Sequence, residues 1–170
     1  MIDINEIPEF YQGYVKKLKG GTLMEDLDRT GKELASLLAS IPESKGEFAY
    51  AEGKWTIKEV IQHIIDAERV FSYRALRFAR MDKTDLSGFE QNDYVPVSMA
   101  NERTLDSLLD EFLSVRSATV SLFAGFSQEM MKSRGTANGY SFSAEAVGYI
   151  TAGHCLHHTD ILKDRYLHAD

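Results

Sequence analysis

The sequence predicts an all-α protein, a four-helix bundle. Three observations carry that reading. Four stretches of about 20 residues repeat apolar side chains at helical spacing, capping boxes open two of them, and no convincing period-2 alternation marks a strand. Pro8 precedes a short amphipathic piece, Glu9 to Leu18, which Gly20-Gly21 ends. Thr22-Leu23-Met24-Glu25 has the T-x-x-E form in which hydroxyl and carboxylate satisfy free amides at a helix start. Leu27, Leu34, Leu37, Leu38 and Ile41 follow at helical spacing as far as Pro42. A second box, Thr56-Ile57-Lys58-Glu59, opens a long helix from about Ile57 to about Met81. The third helix runs from about Glu102 to about Phe123, with Leu105, Leu108, Leu109, Phe112 and Val115 on one stripe. Arg134 to Gly139 reads as an irregular link, and the fourth helix runs from about Ser143 to about Leu167.

The segment between the second and third helices, about Thr84 to Asn101, is rich in turn residues, including Gly88, Asn92-Asp93 and Pro96. Antiparallel neighbours usually need about 2–8 linking residues, so this longer link allows the two helices to run parallel. Long loops in compact domains are often binding elements, and this one is placed to cover the end of a site.

The chain of 170 residues suits one domain, 1–170, with its helical core from about 22 to 167. Its hydrophobic fraction of 44% and charged fraction of 26% are those of an ordinary globular protein. A formal net charge of −7, with the basic residues scattered among acids, argues against nucleic acid as a partner. The first residues lack the basic and apolar regions of a signal peptide, and no run of about 18 apolar residues spans a membrane. Cys155 is the single cysteine, which fits a reducing compartment. A cytoplasmic protein is expected.

Histidine is where chemistry concentrates. Three of the five fall within five residues, His154, His157 and His158, and His63 sits alone in the second helix. Residues three or four apart share a helix face, so His154 can pair with either neighbour. At about 100° per residue, His154 lies on a stripe with Val147, Ile161 and Arg165, while His158 and His157 flank that stripe by about 40° and 60°. Spacing thus favours His158 only slightly. His63 shares its face with Val60, Ala67 and Val70, where an imidazole needs a partner because unpaired buried polar groups are costly. Two imidazoles from one helix and a third from another would make a metal site with an open position, the catalytic pattern. The competing reading is a set of hydrogen-bonded or solvated histidines with no metal.

The ordered motifs resemble the DinB/YfiT-like family. Trp55-Thr56-Ile57-Lys58-Glu59-Val60, His63, Asp66-Ala67-Glu68-Arg69 and Arg74-Ala75-Leu76-Arg77 are similar to its second helix. Gly88 to Val95 is similar to its central loop, and Gly153-His154-Cys155-Leu156-His157-His158 to the G-H-x-x-H-H segment of its last helix. The resemblance implies up-down-down-up topology and a divalent metal, nickel or zinc foremost, held by His63, His154 and His158, with His157 not a ligand. It also implies a homodimer, and activities such as metal-dependent hydrolysis or transfer that uses a low-molecular-weight thiol.

Three neutral imidazoles would leave a metal's charge undamped, suited to activating water or holding a thiolate. Imidazole does not sharply select among zinc, nickel and copper. No acid or base is singled out. Glu59, one turn before His63, could reach the site but suits the capping box better. Asp66 and Glu68 fit salt bridges, Glu90 and Asp93 belong to the central loop, and Cys155 points away from the His154 face. Arg74 lies on the His63 face about 16 Å along the axis, able to hold an anionic tail but better suited to an interhelix ion pair. Two classes of function remain: a metal-dependent enzyme acting on a small molecule, and a non-catalytic helical module, metal-binding or metal-free.

Overall fold

The computed structural model describes residues 2–167; His168, the fifth histidine, lies outside them. The elements in chain order are α1 (Glu9–Val15), α2 (Leu23–Ser40), α3 (Ile57–Ala79), a short α4 (Gln91–Tyr94), α5 (Leu105–Ala124), α6 (Gln128–Lys132), β1 (Arg134–Ala137), β2 (Tyr140–Ser143) and α7 (Ala144–Ile161). Both predicted capping boxes form. Thr22 and Glu25 close one at the start of α2, and Thr56 and Glu59 the other at the start of α3. The predicted third helix begins three residues late, at Leu105, because Thr104 supplies the N-cap oxygen, accepting from the Ser107 N–H.

Helices α2 and α3 each pack against both α5 and α7 and so occupy opposite corners of a four-helix bundle. Cross-helix bonds give the directions. Arg103 bonds Gln62, Arg69 bonds Glu111 and Ser72 bonds Thr119, so α3 and α5 run parallel. Helix α7 runs against α3, since His154 meets His63 while Tyr166 reaches back to Trp55. It runs with α2, as the Cys155–Thr30 and Lys163–Glu33 contacts show. Leu105 N–H donates to Glu43 and Arg116 to the Leu27 carbonyl, so α5 opposes α2. The topology is up-down-down-up.

Parallel α3 and α5 require their link to climb the length of α3, about 35 Å for its 23 residues. The link does so. It leaves the foot of the bundle through the Leu86–Ala137 bridge and reaches the top where Thr56 Oγ1 donates to Asn101 Oδ1.

Two further features depart from expectation. Arg134 to Gly139 belongs to a β-hairpin rather than to an irregular link, with Asn138 and Gly139 both at positive φ (52° and 77°) in its turn. The Asn-Gly pair is the sequence signal for such a turn, but four-residue strands are too short for alternation to reveal them. The second is the end of the fourth helix, which continues past Ile161 as a π-helical turn, Leu162–Leu167. Wider i→i+5 turns rotate the stripe, so Arg165, predicted to share the His154 face, is exposed.

Helix α7 is buried on nearly every side, because α1 covers the flank that α2 and α3 leave open. Gly153 permits the contact: a Cβ there would stand 2.5 Å from the Tyr14 carbonyl oxygen. The apolar interior falls into two clusters, one around Phe71, Phe78, Phe142 and Val147, the other around Ile61, Ile64, Leu108 and Phe112. Between them lies a polar layer made of the histidines and a buried Glu68–Arg116 pair.

Candidate metal centre

The fold brings three of the four predicted histidines together. His63 projects from α3 and His154 and His158 from consecutive turns of antiparallel α7, with one nitrogen of each lying within 4.8 Å of the others. Nε2 of His63 and Nε2 of His154 are 3.1 Å apart. The ring of His158 centres 4.8 Å from that of His63 and 4.5 Å from that of His154. His157 turns the other way, its ring 5.1 Å from that of Tyr14.

Burial governs the charge of the cluster. It pulls His63 from the ordinary 6.5 down to about 4, with the nearby His157 imidazole adding to the effect. His154 and His158 are held well below the ordinary value by burial first and by mutual repulsion within the cluster second. The imidazoles are therefore neutral at pH 7, with lone pairs free to coordinate.

The donor set suits a divalent cation. Tetrahedral coordination at about 2.0–2.1 Å places ligand nitrogens about 3.3 Å apart. The 3.1 Å pair is already at that spacing, and side-chain rotation can bring in the third nitrogen. No carboxylate among the described residues joins the cluster.

Two cavities meet the cluster. One, of about 200 Å³, opens onto His63 and His154 between α3 and α7. Tyr11 and Tyr14 of α1, Phe71 of α3 and Phe89 of the central loop supply its aromatic walls. The other, of about 230 Å³, reaches His158 beside Tyr50, Trp55 and Asn92. The central loop thus borders both.

Residues 26–162 match the family model of the DinB superfamily. The chain belongs to that superfamily. Among curated proteins none matches it. Among solved structures, the DinB-superfamily chain is similar to YfiT from Bacillus subtilis, described as a probable metal-dependent hydrolase with an unusual four-helix bundle topology. The TM-score is 0.74 at 13% identity, over 84% of this chain and 82% of YfiT. It is also similar to a mycothiol-dependent maleylpyruvate isomerase (TM-score 0.70, 12% identity), covering 94% of this chain but only 62% of the isomerase. At such identities the likeness is one of fold.

The other singled-out residues of this DinB-superfamily chain separate cleanly. Glu59 spends its carboxylate on the Thr56 N–H (2.8 Å) and the Asn101 amide (3.3 Å) and stays in its cap. Asp66 accepts from Gln62, and Glu68 forms a bidentate pair with Arg116. Glu90 lines the cavity at His63 while capping α4 through Asn92 N–H, and Asp93 lies in the first turn of α4. Cys155 is buried against the Thr30 carbonyl, and burial pushes its thiol up. The interhelix ion pair expected of Arg74 does not form among the described residues. Its guanidinium donates to the Ser87 carbonyl and lines the cavity. The α1 aromatics escaped the sequence reading, because nothing local in Phe10-Tyr11-Gln12-Gly13-Tyr14 says which helix they cover.

Proposed function

We propose that this protein is a divalent-metal-dependent enzyme acting on a small molecule, with His63, His154 and His158 as the metal ligands. The observation that carries the reading is the convergence of three neutral imidazoles, two buried and one half-buried, from two antiparallel helices beside a cavity. Three ligands leave a coordination position for a reactant, whereas a purely structural ion is usually fully enclosed by four. A bound cation supplies Lewis acidity, lowering the pKa of a water or thiol presented to it. The chain's part is to hold the imidazoles neutral by burial, to shield reactants with the α1 and loop aromatics, and, in hydrolysis, to offer Glu90 as the one carboxylate bordering the His63 cavity among the described residues. YfiT's description as a probable metal-dependent hydrolase supports this reading.

Thiol-dependent transfer is favoured by a separate observation, the second cavity at His158, since a transfer needs room for two reactants. The dependence of the isomerase on mycothiol supports it.

Elemental analysis tests the ligand set. One equivalent of metal is expected in wild type and His157→Ala, with loss in His63→Ala and His158→Ala. Wild type without stoichiometric metal after loading with nickel or zinc, or metal lost from His157→Ala rather than His158→Ala, overturns it. Screening the loaded protein for ester or amide hydrolysis and for thiol transfer then separates the reactions.

A further inference from the structure

Arg74 is 2% exposed, yet among the described residues its guanidinium donates only to the Ser87 carbonyl, at 3.1 Å from Nη2. No Asp or Glu oxygen among the described residues lies within 4.0 Å of its nitrogens. Glu90 borders the same cavity, but its Oε1 accepts from the Asn92 N–H and side-chain amide; Asp85 borders Arg74 on its other side, also beyond that distance. The contrast with Arg116 is direct. That residue, equally sequestered, is matched by both oxygens of Glu68 and by Leu27 and Thr30. A buried cation without a counter-charge is costly, and such costs persist where a ligand supplies the missing partner.

We propose that Arg74 is the anion-binding residue of the cavity at His63 and His154, and that the molecule bound there is a small carboxylate with an apolar body. This rests on the reading of the histidine cluster as the reacting end. Arg74 follows His63 by 11 residues, three turns on the same face, and helical side chains lean towards the N-terminus, here towards His63. Its guanidinium carbon lies 6.0 Å from the Phe71 ring centroid and 5.9 Å from that of Phe89. The rings flank the planar group without consuming its donors, leaving them for a bidentate carboxylate. A single guanidinium matches a monoanion, which favours carboxylate over a phosphate dianion. The aromatic walls suit an apolar or unsaturated body between the two ends.

Calorimetric titration with 3-phenylpropionate, its neutral amide and phenylethyl phosphate tests this, on metal-loaded and chelator-stripped protein. Wild type is expected to bind the acid about tenfold or more tightly than the amide, and at least as tightly as the phosphate. Arg74→Gln should abolish the acid preference and Arg74→Lys restore part of it. Equal binding of acid and amide, or a preference that survives Arg74→Gln, overturns the proposal; tighter binding of the phosphate overturns the carboxylate assignment. Should Arg74→Gln fail to fold, the Arg74 Nε–H resonance of wild type is the readout: it shifts with acid and not with amide, and no shift is disproof. The metal reading fails separately. Acid preference in a protein that takes up no metal would sink that reading alone, and stoichiometric metal without acid preference would sink this one alone.

Discussion

Nε2 of His63 stands 3.1 Å from Nε2 of His154, joining helices that are antiparallel and 91 residues apart in sequence. Two neutral imidazoles can share at most one proton at that spacing, and protonating both would bury two like charges in contact. The pair is thus stable at neutral pH and intolerant of acid.

Metal-stripped protein should accordingly lose stability as pH falls. The folded-state pKa of His63 lies at about 4, below the ordinary 6.5, so the unfolded chain binds protons first. The contribution is complete above pH 6.5 and is lost between about 6.5 and 4. For His63 alone it amounts to about 3 kcal/mol, and the depressed pKa values of His154 and His158 act in the same direction. Urea unfolding across that range measures it. A midpoint independent of pH from 7.5 to 5 would contradict the assignment.

Nickel or zinc should raise the melting temperature, since coordination requires the folded cluster. At 100 times Kd the stabilisation is about 2.7 kcal/mol, or about 5–10 °C for a chain of this size. Differential scanning calorimetry of wild type and His63→Ala separates site binding from nonspecific uptake, because the variant should show no rise.

Glu68→Ala should cost about 3–5 kcal/mol, because Arg116 would be left charged and unpaired between the two apolar clusters. Adding Arg116→Met to that variant should recover much of the loss. Chemical denaturation of wild type, the single and the double variant supplies the comparison; a double variant no more stable than Glu68→Ala would count against the pairing.

Gly153→Ala sets two effects against each other. Alanine favours helix by about 1 kcal/mol over glycine, but its Cβ would meet Tyr14 backbone at 2.5 Å. Backbone cannot yield as a flexible side chain does, so the clash should win. Because α1 is only seven residues long, it should detach before the bundle unfolds. Faster proteolysis at Lys16 and Lys17, with little change in the main unfolding transition, is the expected signature.

The sequence by itself determined the helices, because caps and periodicity are local. Thr22 with Glu25 and Thr56 with Glu59 act within one turn, and leucine spacing reads out over a few turns. It also marked which histidines were candidates, and the length of the central link already allowed α3 and α5 to run parallel. Tertiary structure decided the rest. His158 rather than His157 joins His63, while His157 lies against Tyr14 of α1, a helix that a glycine allows to seat close by. Arg74 had a face but no partner in the sequence, and only packing showed that no acid among the described residues comes to meet it. Caps and periodicity follow from neighbours along the chain, whereas the site's charge balance depends on residues that only folding brings within a few ångströms.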